Sequence, residues 1–310
     1  MIGRRIVIPG GSGFLGQSLS DHLVGKGYQV VTLSRSPSLN AGRAQEQAWD
    51  GRSLGAWSAL LDGAEAVVNL AGKSVNCRYT PANRKEIIDS RIDSVRAIGE
   101  AISECETPPR VWVQAGSLAI YGDTDERICD ERAPYGEGFP VETCVLWEQA
   151  FDEAQTPSTR KVLLRIGFAL GGGGGAMDPL MKLTRFFLGG RTGNGKQFIS
   201  WLHVRDLNRM FEWVIERDHL EGVFNATGPT PVTNAEFMGE LRAVLHRPWS
   251  PPVPEWAVKV GARLMGTEAE LALHGRRCLP KRFLDEGFVF EYPELKPAFQ
   301  ELLAGDPGRL

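Results

Sequence analysis

The chain has 310 residues, 42% hydrophobic and 24% charged, which is ample material for a folded core and excludes a disordered polyelectrolyte. Thirty-five basic against thirty-eight acidic side chains leave a formal charge of −3; without a basic block nothing marks a nucleic-acid or anionic-membrane surface, and a small-molecule partner is the simpler expectation. No stretch approaches the ~18 uninterrupted apolar residues of a membrane span, the opening residues lack a signal peptide's apolar run, and five scattered cysteines at no metal or redox spacing read as reduced thiols, so a cytoplasmic location without a metal is expected.

The first half alternates short β-branched runs with amphipathic stretches, the pattern of a parallel sheet wrapped by helices. Strands are predicted at residues 5–9, 29–34, 66–70, 111–115 and 162–166, and helices at 15–26, 81–105 and 144–154. Each crossover is expected to be right-handed. Thr80-Pro81 gives the second helix an N-cap and a first-turn proline. Beyond residue 166 come glycine-rich loops at 171–175, Gly189-Gly190 and 193–195, a strand-like run at 198–204, a helix at 206–216 with Asp206 as N-cap, and a short strand at 223–226. Residues 234–310 read as helices broken by Pro248, Pro251-Pro252 and Pro254. The expected fold is α/β: a doubly wound parallel Rossmann sheet, 1–166 plus about 204–228, with a smaller, interleaved C-terminal substrate lobe, 167–203 plus 229–310.

Directly after the first strand stands Gly10-Gly11-Ser12-Gly13-Phe14-Leu15-Gly16, followed by a helical run. Gly10 permits a tight turn, Gly13 lets backbone approach a pyrophosphate, and Gly16 lets the helix pack close on the strand. The helix N-terminus offers free N–H groups and partial positive charge to that pyrophosphate. At the end of the second strand, where an NAD-specific site carries Asp or Glu, this chain has Ser34-Arg35-Ser36. A guanidinium binds a 2′-phosphate that a carboxylate would repel, so NADP(H) is the expected cofactor. The small-residue turn Asn69-Leu70-Ala71-Gly72 allows backbone to pass beside it.

These pieces, together with Arg84-Lys85-Glu86-Ile87-Ile88-Asp89-Ser90-Arg91, Gly193-Asn194-Gly195-Lys196-Gln197-Phe198, Trp201-Leu202-His203-Val204-Arg205-Asp206 and Leu279-Pro280-Lys281-Arg282, resemble the extended short-chain dehydrogenase/reductase superfamily. Within it, the chain resembles the atypical epimerase-like group with a small C-terminal domain. The resemblance implies NADP(H), a C-terminal substrate lobe, and a cofactor lined by Ser34, Arg35, Leu70, Ala71, Glu86 and Arg91. It also implies epimerisation, dehydration or reduction of a nucleotide-sugar by hydride transfer. Superfamily members pair a serine after the fifth strand with a downstream Tyr-x-x-x-Lys, whose tyrosine moves the hydroxyl proton. Ser117 falls at the serine's place, but with Glu148 aligned to the acidic residue after the lysine, Pro140 and Cys144 stand in for tyrosine and lysine.

Catalysis would then fall to Ser117 with Tyr121, near it in sequence. His203, Lys85, Asp123, Glu142 and Cys144 are further candidates, each with a structural alternative. The glycines at 171–175 read as an anion-binding nest, a lid or a plain linker, and Trp249 and Trp256 as base-stacking or core-filling aromatics. The reading is an NADP(H)-dependent epimerase or oxidoreductase acting on a small polar substrate, with a homodimer left open; its rival is a non-catalytic NADP(H) sensor that has lost the dyad.

Overall fold

Ile6 and Ile8 point to one side of the first strand and Val7 to the other, all three fully buried, so the sheet they open is covered on both faces. The computed structural model describes residues 4–37 and 44–304. In chain order the first half runs β1 (Arg5–Pro9), α1 (Phe14–Gly25), β2 (Gln29–Ser34), β3 (Gln45–Ala48), β4 (Ala66–Asn69), α2 (Pro81–Ser103), β5 (Val111–Ser117), β6 (Ile128–Cys129), α3 (Phe139–Glu153) and β7 (Arg160–Ile166). The second half runs β8 (Phe168–Leu170), α4 (Met177–Arg185), β9 (Phe198–Ile199), β10 (Trp201–His203), α5 (Val204–Glu216), β11 (Gly222–Ala226), β12 (Val232–Thr233), α6 (Asn234–Val244), α7 (Glu255–Leu264), α8 (Glu270–Leu273), β13 (Arg277–Cys278), α9 (Lys281–Asp285) and α10 (Leu295–Ala304).

Seven strands form one parallel sheet in the order β11-β7-β5-β4-β1-β2-β3. The order reverses between β1 and β4, which makes the crevice beyond their C-terminal ends the place where a doubly wound sheet takes a ligand. On one face Ile6, Val30, Val68, Val113 and Leu164 pack on α1 and α5 through Leu19, Leu23, Leu207 and Phe211. On the other, Val7, Val67, Trp112 and Leu163 pack on α2 and α3 through Val95, Ile98, Ile102, Trp147 and Phe151. A third core joins Leu170, Met177, Met181 and Trp201 to Phe237, Met238, Leu241, Phe299 and Leu302, drawing on both flanks of α5 and β11.

The long-range ties of the last residues are specific. β13 pairs in parallel with β6, placing Cys278 opposite Cys129. The Asp206 carboxylate accepts from the backbone N–H groups of Glu291 and Tyr292, each at 2.8 Å. Along the outer margin of β11, Arg282 Nη1 donates to the carbonyls of Glu221 and Val223 at 2.9 and 2.7 Å, and the Glu131 carboxylate accepts from Asn225 N at 3.0 Å.

Several local expectations need correction. The polar edge strand β3 carries no apolar alternation and is absent from the sequence reading. α3 begins at Phe139, five residues before the expected start at Cys144, because Gly138 at φ +101° and the first-turn Pro140 set its entry. The strand at 198–204 is split at Ser200: β9 pairs antiparallel with β12 and β10 parallel with β8. The cap of α5 is His203, whose Nδ1 accepts from Arg205 N at 3.2 Å; Asp206 is buried in the first turn. Trp249 and Trp256 fill no core, being 67% and 70% exposed.

Candidate active site at the β1–β4 crevice

The glycines of the first turn have separate reasons. Gly10 adopts φ +80°, and a Cβ there would sit 2.7 Å from the backbone of Leu70 and Ala71. At Gly16 a Cβ would lie 2.5 Å from Gly11 Cα, so helix and strand meet only because it is absent. Gly13 differs: the nearest heavy atom to an added Cβ is Gly10 O at 3.5 Å. Nothing in the protein requires a glycine there, and the space it keeps clear is the crevice. Gly13 is also the N-cap of α1, with no side-chain capping bond. The first-turn N–H groups of Phe14, Leu15 and Gly16 therefore lack intrahelical acceptors. Ser12 stands exposed in the turn.

The glycine run at 171–175 closes over this turn. Cβ atoms at Gly171, Gly174 and Gly175 would fall 2.5, 3.0 and 3.3 Å from the Phe14 ring. The run is neither a nest nor a plain linker at these positions; it is glycine because Phe14 lies beneath it.

At the end of β2 the Ser34 hydroxyl is buried and makes no hydrogen bond. Arg35, exposed beside it, has no partner among the described residues. On the other side of β1, Leu70 N donates to Pro9 O at 2.8 Å, and Asn69 Oδ1 accepts from Ala71 N at 3.0 Å. Asn69 is held in turn by donating to Ser94 Oγ and Gln114 Oε1 at 3.2 and 3.0 Å. The turn through Leu70, Ala71 and Gly72 is thus fixed by a buried polar network.

α2 presents two expected site residues differently. Glu86 reaches the Lys73 ammonium, which also donates to Asn83 Oδ1 at 3.1 Å. Arg91 lies against Gly72, whose added Cβ would be 3.3 Å from its Cζ, and stacks 5.0 Å over the Trp147 ring. Its Nη1 donates to the carbonyls of Lys73 and Ile87 at 3.0 and 2.9 Å. Lys85 is exposed and pairs with Asp89 one turn on.

Ser117 ends β5 with its Oγ accepting from Ala119 N at 3.1 Å, half-buried at the crevice side of the sheet. Tyr121 is fully buried. Its hydroxyl donates to Asn225 Oδ1 and accepts from Arg165 Nη1, both at 2.8 Å. Arg165 also grips the Glu148 carboxylate with two bonds of 2.8 and 2.7 Å. Burial pushes the Tyr121 phenol above its ordinary value, and the Glu148 partner raises Arg165 against its own burial. Every polar atom of that knot is spoken for. His203 is likewise engaged, its ring 4.1 Å from Tyr292 and its Nε2 2.9 Å from the Glu301 carboxylate.

In α3, Cys144 is buried, and burial pushes its thiol up to about 12, with Glu148 adding to the rise. Among the described residues no group of three or more His, Cys, Asp or Glu is placed to hold a metal ion, and no helix is long and apolar enough to cross a membrane.

Two residues of this region carry no signal in the sequence reading. Tyr79, just before α2, packs its ring edge-on against Phe139 at 4.8 Å, and burial pushes its phenol up to about 12. Arg276, just before β13, extends the crevice from the C-terminal side. Only tertiary structure brings them together, since 197 positions separate them.

The family model described as the NAD dependent epimerase/dehydratase family matches residues 6–226. The chain belongs to that family. A domain of unknown function, DUF1731, matches residues 253–302, which contain β13, α9 and most of α10. The chain is 34% identical over 307 residues to the human epimerase family protein SDR39U1, covering 97% of this chain and all of that one. It is 33% identical to the epimerase family protein YfhF of Bacillus subtilis, covering 97% and 98%. The crystal structure of human SDR39U1 with NADPH superposes with a TM-score of 0.87 at 32% identity, covering 97% of this chain and 99% of that one. A nucleoside-diphosphate sugar epimerase from Corynebacterium glutamicum superposes at 0.78 with 28% identity, covering 97% of this chain and 58% of its own.

Proposed function

We propose that the chain binds NADP(H) at the β1–β4 crevice and acts as an oxidoreductase or epimerase on a small polar substrate, a nucleotide-sugar being the leading class. The observation that carries this reading is the set of groups left waiting there: open space at Gly13, uncapped N–H groups at α1, and the buried, unpartnered Ser34 hydroxyl beside Arg35. The α1 N-terminus would hold the pyrophosphate, and Ser34 with Arg35 the 2′-phosphate. Leu70, Ala71 and Gly72 would flank the far side, with Glu86 setting Lys73 beside them. When bound, the nicotinamide supplies reversible hydride transfer. Human SDR39U1, crystallised with NADPH, supports the choice of cofactor, and the sugar-nucleotide epimerase supports the substrate class.

The proton step is assigned to the crevice and not to Tyr121, whose hydroxyl is committed to Arg165 and Asn225. Ser117, half-buried at the end of β5, is the side chain we place against the reacting hydroxyl or carbonyl. We place the chain in the cytoplasm on the scattered spacing of its cysteines. One observation favours the rival reading of a non-catalytic NADP(H) sensor: Pro140 and Cys144 stand where the dyad is expected, and neither supplies its proton chemistry.

Calorimetry with NADPH and NADH tests the cofactor site. Arg35→Asp is expected to weaken NADPH by roughly tenfold or more while changing NADH little; equal loss of both refutes the 2′-phosphate assignment. Incubating the NADPH-loaded chain with nucleotide-sugars and carbonyl compounds, with absorbance and product analysis, then separates enzyme from sensor. Tight binding without turnover across the panel favours the sensor.

A further inference from the structure

Arg276 is held by its backbone at several points and by its side chain at none. Its N–H donates to Phe198 O at 2.8 Å, its carbonyl accepts from Ser200 Oγ at 2.7 Å, and the preceding Gly275 exchanges bonds with Asp123 and Thr124 at 3.0 Å. The guanidinium, by contrast, makes no hydrogen bond or ion pair with any described residue, and its Nε is buried without an acceptor. Its partner across the crevice is Arg91, which spends Nη1 on two carbonyls and has no described acceptor for Nε and Nη2. Burial lowers the proton affinity of both groups. Each nevertheless keeps part of its surface open, as residues lining a recess do.

The fields of both cations reach the same two side chains, the Cys144 thiol and the Tyr79 phenol. Neither balances them. With both groups pushed up to about 12, thiol and phenol are neutral near pH 7. Asp123 contributes to the field at Arg276 but forms no ion pair with it, and no carboxylate acts on Arg91. Two desolvated, uncompensated guanidinium groups facing one recess are costly in an empty protein. Their fork geometry matches an oxyanion, and the backbone of Arg276 is already ordered, so little conformational freedom remains to be lost on binding.

We propose that Arg91 and Arg276 form an oxyanion-receiving site beside Cys144, so that the substrate carries a carboxylate or phosphate close to its reacting end. This assignment of substrate class rests on the hydride-transfer reading. The cofactor's phosphates have separate places, at the α1 N-terminus and at Ser34 with Arg35, so this pair serves an additional anion. The two guanidinium groups also bring positive charge to the point where Cys144 replaces the lysine of the usual dyad.

The test is calorimetric titration of the NADPH-loaded chain at constant ionic strength, with inorganic phosphate in one arm and acetate in the other. Saturable binding of at least one is expected, and the arm that binds more tightly identifies the anion. Arg276→Gln and Arg91→Gln should each weaken it about tenfold or more, with Arg276→Lys retaining part of the affinity. NADPH affinity of Arg276→Gln should stay within about twofold of the parent. Thermal unfolding of each variant checks that it folds. No saturable binding of either anion, or unchanged binding in Arg276→Gln, overturns the site. Loss of NADPH affinity in Arg276→Gln comparable to its anion loss also overturns it, because the anion received would then be the cofactor's own. A parent chain that takes no NADPH overturns the hydride-transfer reading instead; the same titrations of the bare chain then decide the pair.

Discussion

Two polar regions at the same end of the sheet are built on opposite plans. The turn from Gly10 to Gly16, with Ser34 and Arg35, has donors left over: uncapped amides, an orphaned hydroxyl and an unpaired guanidinium. The knot of Tyr121, Glu148, Arg165 and Asn225 has none left over, each member bonded to another. A buried polar group is tolerated when satisfied, so the second arrangement accounts for itself as structure, while the first makes sense only with a ligand. Proximity to a serine at a strand end made Tyr121 a catalytic candidate, and its hydrogen bonds assign it to the scaffold.

The largest effect that would break this contrast lies in the knot. Arg165→Met strands the Glu148 carboxylate in the interior and is expected to cost about 3–5 kcal/mol of folding stability, read by denaturant unfolding. A loss under about 1 kcal/mol would mean the pair is not the buried structural element described. Next comes Gly13→Ala, which meets no protein atom closer than 3.5 Å. Stability should change by less than about 0.5 kcal/mol while NADPH affinity falls about tenfold or more; unaltered affinity would move the pyrophosphate elsewhere. Tyr121→Phe removes two hydrogen bonds and should cost about 1–2 kcal/mol with NADPH affinity unchanged. If any panel substrate turns over, abolition of turnover in this variant would return Tyr121 to catalysis.

The smallest effect concerns His203. Burial holds its imidazole below the ordinary value, with Glu301 opposing. The unfolded chain therefore binds the proton more readily, and the stability this contributes is present above about pH 6.5 and lost as pH falls through the lowered folded value. Below that pH, melting temperature should decline by the equivalent of under ~1 kcal/mol, and His203→Asn should flatten the slope. A parent whose stability rises on acidification through this range contradicts the direction.

What the sequence made legible follows from where the chemistry resides. Phosphate recognition by backbone needs glycines at fixed spacing after a strand, and that local demand showed in Gly10, Gly13 and Gly16. The limits of β1 and β2 were likewise readable, since buried parallel strands are apolar runs closed by turns. Side-chain chemistry was not local. Arg165 lies in an apolar strand and finds Glu148 across a helix–sheet interface; Arg276 and Tyr79 meet only through the fold. The cap at His203 was misplaced onto Asp206 because carboxylates and hydroxyls are the usual capping acceptors, whereas here an imidazole nitrogen does the accepting. The two-residue strands β6 and β13 were too short to carry any period.

The engagement of Arg282 and Glu131 along β11 bears on how copies of the chain meet. A sheet ordinarily ends in a row of free amides and carbonyls that invites another strand. On this flank the Glu221 and Val223 carbonyls and the Asn225 amide are already occupied. Self-association by extending the sheet past β11 is therefore closed off, and deleting the segment that carries Arg282 would turn that flank adhesive.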